Sequence, residues 1–227
     1  MRFRSTVVAL LALVVVVSAL YLRRRPPARV DVIETEGAVV PVPLEPSPLL
    51  SPSRVPAPAL SEVQPTLDRV FAQAVVMDSA IRPPFVAGDF DGDDVADLAV
   101  AVRPRSEASL SELNAGRPDW IVQDAAAQEN ATGKLEPVKV SARDLLLAVV
   151  PGAAAGGWRN PDLRRGYLVR NAAGSSLAVR PLAELPDAIR MRTYRVHTGD
   201  VIVSNRGGQP GVVLWTAAAY IWVDRQR

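Results

Sequence analysis

The sequence predicts a mainly β fold with a minor helical part, a small antiparallel β-meander domain behind an N-terminal membrane helix and a Pro-rich linker. Three observations predict it. Eight short segments between residues 95 and 224 are rich in β-branched and aromatic residues and are separated by turn residues. Ten of the twenty prolines lie between Pro26 and Pro65. An uncharged, mostly apolar stretch opens the chain.

That stretch runs from Ser5 to Leu22, between Arg2 and Arg4 on one side and Arg23, Arg24 and Arg25 on the other. As a helix its 18 residues span about 27 Å, just short of a hydrocarbon core. Residues 1–25 therefore read as a signal anchor, with the whole stretch as one span, or as a signal peptide with Val17 and Ala19 before the cut. Three arginines directly after a cut would hinder export, which favours the anchor. The flanking arginines nearly balance, and those after the span lean toward a cytoplasmic C-terminus. The linker and the acidic loop described below favour the opposite placement. The domain is thus expected on the membrane facing the periplasm or the extracellular side, or secreted where the signal is cleaved.

Residues 26–65 cannot sustain a helix or donate a regular ladder, so they read as an extended spacer. Residues 1–30 carry six arginines and no acid, leaving 20 basic and 24 acidic groups in residues 31–227. A body with that balance lacks the electrostatic footprint of a nucleic-acid binder. The absence of cysteine excludes disulfides, thiolate metal sites and cysteine nucleophiles.

Residues 66–227 form the predicted β-rich globular domain. Leu67, Val70, Phe71 and Ala74 have helical spacing, so a short helix is expected within 66–80. Strands are expected at 95–102, 119–123, 144–150, 166–171, 176–180, 200–205, 211–216 and 219–224. "AAGSS" at 172–176 and "RGGQPG" at 206–211 read as hairpin connections, and the last three strands as a meander. The rest of 104–136 reads as loop with a short helix. Asp97, Asp144 and Asp200 each lead an apolar strand, which is ordinary turn chemistry.

The chemistry concentrates in "GDFDGDDVADLAV", residues 88–100, where five aspartates occupy nine positions. Asp89, Asp91 and Asp93 alternate, so a tight loop turns their carboxylates toward one centre. The Val95 carbonyl and the Asp97 carboxylate can close the shell. Calcium takes six to eight oxygens from such a flexible cage, and magnesium suits it less well. Without a cation the carboxylates repel one another, so binding should also stabilise the fold. An EF-hand is excluded, because its twelfth position would be Val100 and a strand follows where a helix should.

The segment resembles the FG-GAP repeat (the VCBS-type, integrin α-subunit-like repeat), through Gly88, Asp89, Asp91, Gly92, Asp93 and Asp97 with "DLAV" behind them. The resemblance covers one copy, about 20 residues, and implies an acidic calcium loop joining two strands. Where that family places glycine, at the sixth loop position, this chain has Asp94, so Asp94 is expected in left-handed backbone. One copy implies a single calcium-loop unit inside a small β domain, not a propeller.

A rival reading takes "FVAGDFDGD" as the first motif of haloacid-dehalogenase-type phosphatases, which resemble it in the Asp-x-Asp-Gly order. Asp89 would then be a nucleophile and Asp91 an acid beside magnesium. That family continues into a helix and needs a lysine; this chain continues into a strand, with only Lys134 and Lys139. His197 is a lone histidine, "GAAAGGW" at 152–158 reads as a mobile loop, and the four tryptophans read as packing more than as a sugar platform. Asn130-Ala131-Thr132 fits a glycosylation acceptor, a triplet frequent by chance. The expectation is a calcium-binding adhesion or interaction module without catalysis, its partner an envelope protein or glycan. The alternative is a metal-dependent hydrolase using the Asp89–Asp97 cluster.

Overall fold

A computed structural model describes residues 57–128, 137–187, 189–190 and 199–224. The apolar stretch at 5–22, most of the Pro-rich segment, Asn130, Lys134 and His197 lie outside the described residues. Among the described residues, no helix is long and apolar enough to cross a membrane.

The chain enters the domain through α1, Leu60–Val70, which begins inside the segment assigned to the linker. Val63, Thr66, Leu67 and Val70 form its buried stripe at helical spacing. Pro65 inside the helix forfeits one main-chain bond, which explains why the sequence suggested a later start. The Glu62 carboxylate accepts the Ala59 N–H at 2.8 Å and pairs with Arg159 through two nitrogens at 2.8 and 3.0 Å, anchoring the first turn. Left-handed backbone at Ala72 and Gln73 ends the helix, so residues 75–77 form a strand where helix was expected.

Among the described residues, ten strands follow in two sheets. They are β1 (Val75–Met77), β2 (Phe85–Gly88), β3 (Asp97–Pro104), β4 (Trp120–Asp124), β5 (Leu146–Val150), β6 (Gly166–Arg170), β7 (Leu177–Pro181), β8 (Asp200–Arg206), β9 (Gln209–Trp215) and β10 (Tyr220–Asp224). The first sheet has the order β1-β3-β5-β6-β4, with β2 also pairing β3. All its pairs are antiparallel except β4 with β6. The second sheet is the antiparallel order β10-β9-β8-β7. The eight strands expected from the sequence are all present within one or two residues, as is the terminal meander. Helices α2 (Glu107–Leu113) and α3 (Ala125–Gln128) flank β4.

One hairpin expectation fails. Residues 172–176 do not fold β7 back on β6; they carry the chain from the first sheet to the second. The other holds, with Gly207 and Gly208 at positive φ joining β8 to β9 in a two-residue turn.

Strand alternation sorts the core. Leu98, Val100 and Val102 of β3 and Leu146, Ala148 and Val150 of β5 pack outward under α1. Ala99, Ala101, Leu147 and Val149 point the other way and meet Ile202, Val213, Tyr220 and Trp222 of the second sheet. The outer face of that sheet buries Val201, Val212, Leu214 and Val223 beneath Leu182, Leu185 and Ile189. The central strands are therefore apolar on both faces, and they read as continuous apolar runs.

Candidate metal centre

The loop of residues 89–96 joins adjacent antiparallel strands, and its flanking residues Gly88 and Asp97 face each other in register. Asp89 organises it from within. Its Oδ1 accepts the N–H groups of Gly92 at 2.7 Å and Asp93 at 3.1 Å, and its Oδ2 accepts that of Asp94 at 3.1 Å. Asp93 Oδ1 accepts the Val95 N–H at 2.9 Å. Gly92 (φ 82°) and Asp94 (φ 64°) take left-handed backbone, which for Asp94 is what its loop position predicts. Short polar side chains tolerate that conformation better than most.

The fold brings together oxygens of Asp89, Asp91 and Asp97 within 4.8 Å of one another. Asp97 is fully buried at the head of β3. Its Oδ2 accepts the Phe90 N–H and its Oδ1 the Gly152 N–H, both at 2.6 Å. Asp91 Oδ1 is enclosed and has no hydrogen-bond partner. Asp93 lies outside this three-carboxylate group and is exposed, but its carboxylate stands close enough to Asp91 to perturb it. Val95, predicted to offer its carbonyl, contributes its N–H to the loop.

Burial pushes the Asp97 carboxyl up to about 8; the neighbouring Asp91 and Asp89 raise it further, while the Gly152 and Phe90 N–H groups pull it back. Burial, with Asp93 and Asp89 beside it, lifts Asp91 to about 6. Among the described residues, no arginine or lysine forms an ion pair with Asp89, Asp91, Asp93, Asp94 or Asp97. Arginines elsewhere pair with Asp68, Asp78, Asp119 and Asp144. The donor set is oxygen only, the chemistry of a hard cation such as calcium or magnesium.

Two distant segments hold the loop, and sequence reasoning missed both. Asp200, at the head of β8, accepts the Asp89 N–H on its Oδ2 at 3.2 Å and returns its own N–H to the Asp89 carbonyl at 2.5 Å. Gly199 packs so closely that a Cβ there would lie 2.2 Å from that carbonyl. The only sequence signal was the faint repetition of aspartate before a strand. The second segment is the glycine-rich stretch 152–158, expected as a mobile loop. It forms a 3-10 turn over Ala154–Arg159 with Trp158 fully buried. Gly152 donates to Asp97, and the Trp158 N–H donates to the Ala96 carbonyl at 2.8 Å.

Three of the tryptophans, Trp120, Trp158 and Trp222, are interior, which leaves only Trp215 half-buried. Away from the loop, a cavity of about 280 Å³ opens beside Trp120 and Ile121 at β4. Its Arg117 already pairs with Glu112 and Asp119 and stacks on Trp120. No family model matches the chain, and neither a curated protein nor a solved structure matches it.

Proposed function

We infer that this chain is a membrane-tethered, envelope-exposed β domain whose 89–97 loop binds calcium, and that it serves as an adhesion or interaction module without catalysis. One observation carries the metal reading. Three carboxylates converge with no arginine or lysine paired to them among the described residues, one of them fully buried and one presenting an enclosed oxygen with no partner. A solvated acidic turn would face its carboxylates to water, where mutual repulsion is weak. Here they face one another, and a divalent ion supplies the charge that the protein does not. Asp89, Asp91 and Asp97 would hold it, with Asp93 and the Val95 carbonyl as the remaining loop oxygens. Calcium suits the mixed, flexible set better than magnesium, which demands near-ideal octahedral geometry.

The hydrolase reading gains nothing from the geometry. Asp89, its nucleophile, has both oxygens engaged by three backbone N–H groups. The loop runs into an antiparallel strand, not a helix. Placement at the membrane rests on residues 5–22 and on the linker. The interaction role rests on the resemblance of the loop to the FG-GAP repeat.

The test is a melting curve of the detergent-solubilised full chain in chelator and in calcium, followed by tryptophan fluorescence. At calcium a hundredfold above Kd, the expected stabilisation is about 2.7 kcal/mol. For a domain of this size that raises Tm by about 5–10 °C. An identical Tm in chelator and in millimolar calcium, with no heat of binding, overturns the reading.

A further inference from the structure

We propose that the open edge of β4 is a docking site for an extended peptide segment of a protein partner, one that brings a bulky apolar side chain and a basic residue. This deepens the interaction reading above and is independent of the calcium loop. β4 ends the first sheet, since its only strand partner among the described residues is β6. The Gly166 N–H donates to the Asp119 carbonyl at 3.1 Å, and in a parallel ladder alternate residues turn both main-chain groups the same way. Ile121 and Gln123 therefore bond to β6, while Trp120 and Val122 turn their groups outward. Among the described residues, no hydrogen bond reaches those outward groups. The other end of the sheet is closed. There the Met77 N–H of β1 donates to Gln64 Oε1 at 3.1 Å, and Gln64 Nε2 and Arg105 Nη2 each donate to the Val75 carbonyl at 3.3 Å. Folds blunt a free edge by such a cover or by an exposed charge. β4 instead shows Ile121, 46% exposed.

The cavity of about 280 Å³ runs along the same edge. Leu113, Arg117, Trp120, Ile121, Val122 and Val138 line it and no residue of β6 does, so it lies on the open side of β4. Asn114 fixes its far wall: the side chain accepts the Val140 N–H at 2.8 Å and donates to the Val140 carbonyl at 3.0 Å. The cavity offers room for an apolar side chain, and an extended backbone beside it can pair with Val122 as an added strand. Charge narrows the occupant. At one end of β4, Arg117 is shared by Glu112 at 3.2 Å and Asp119 at 3.1 Å, two part-exposed carboxylates on one guanidinium. The surplus negative charge complements a lysine or arginine at that end of the added strand. A second copy of this chain fits worse. Two-fold antiparallel pairing about Val122 would set Asp124 opposite Trp120, beside Asp119 of the other copy.

The experiment is selection of a random-peptide phage library on the detergent-solubilised full chain, then anisotropy titration of the selected peptides with both ends blocked. Those peptides are expected to combine a large apolar residue with a lysine or arginine. N-methylation at alternate residues removes the N–H groups of one side, and in one of the two registers it should weaken binding at least tenfold. Val122→Pro should weaken the unmodified peptides as much. It should leave Tm and its response to calcium unchanged, because a proline whose N–H would face outward breaks no sheet bond. Should V122P fail to fold, the N-methylated peptides decide the matter on the wild-type chain. The proposal is overturned if no peptide is enriched, if acidic sequences are selected, or if neither N-methylation nor V122P changes affinity. A wild-type dimer in sedimentation that V122P abolishes assigns the edge to a second copy and overturns it too. Failure here with a calcium-raised Tm spares the calcium reading, whereas peptide binding without any calcium response sinks that reading alone.

Discussion

Replacing Asp97 by asparagine separates two physical effects that pull in opposite directions, and their balance turns on pH. Burial holds the Asp97 carboxyl near 8 in the cation-free fold, against about 4 in an unfolded chain. Between those values the native state carries a proton that the unfolded state has released, so wild-type stability falls as pH rises through that window. The slope is about 1.4 kcal/mol per pH unit. At pH 5 the penalty is therefore about 1–2 kcal/mol, and at pH 8 about 5 kcal/mol. Asparagine never pays it. Asparagine does meet another difficulty, because Asp97 accepts an N–H on each oxygen, from Phe90 and from Gly152. A protonated carboxyl still offers a lone pair on both oxygens, whereas an amide sets its NH2 against one of those donors. That leaves a buried N–H unpaired, at about 1–3 kcal/mol. In chelator, D97N should be the less stable protein at pH 5 and the more stable one at pH 8, crossing in between. Urea unfolding of both chains at a series of pH values measures the difference, and the subtraction removes the contributions of groups that do not interact with Asp97. Parallel curves for the two proteins from pH 5 to 8 refute the reasoning. So does a stabilising effect of calcium on D97N equal to that on wild type.

Other expectations follow from the same geometry. Because the ion requires Asp97 ionised, calcium affinity of the wild type should rise as pH goes from 6 to 8, by up to about tenfold per unit, with protons released on binding; calorimetry in buffers of different ionisation enthalpy reads both. Gly199→Ala places a Cβ 2.2 Å from the Asp89 carbonyl oxygen and 3.0 Å from Gly92 Cα, so the loop must part from β8. It should lower stability by about 1–3 kcal/mol and weaken calcium binding at least tenfold, by melting curve and titration. Gly211→Ala is the contrast: its Cβ would strike the Trp222 ring at 2.2 Å, far along the second sheet. A similar loss of stability is expected there, with the calcium-induced rise in Tm retained. Equal loss of calcium response in both variants would show that the response follows global stability and not the loop.

The strands were legible because β-branched and aromatic residues cluster where both faces are buried, as in Leu98–Val102 and Leu146–Val150. The two strands that escaped, β1 and β2, have three and four residues, too few to show alternation. The partition into sheets was not legible either. Residues 172–176 have hairpin composition, but whether a turn folds a strand back or passes it to the facing sheet depends on which edges are already paired. β6 is taken on both sides, by β5 and by β4. The site shows the same division. Alternating aspartates in a short loop need no distant information, so the sequence could suggest Asp89, Asp91 and Asp97 together. Asp200 lies 111 residues from Asp89, so only the closed sandwich brings it near.

That geometry bears on what the loop is for. An acidic turn meant only for solubility would stand clear of the core and be indifferent to the segments around it. This one is bonded to the head of β8 in the second sheet and to the turn after β5 in the first. It sets its most deeply buried carboxylate where the two sheets meet. Holding Asp97 there without a counter-charge opposes folding by several kcal/mol at neutral pH, comparable with a substantial part of a domain's net stability. Sequences that break a local rule at this scale generally do so at a functional site. A divalent ion bound there would remove the penalty and reinforce the tie that the Asp89–Asp200 hydrogen bonds already make between the two sheets. Calcium would then act as a structural ligand of the sandwich itself, and its withdrawal should loosen the junction at β8 before it affects the strands beneath α1.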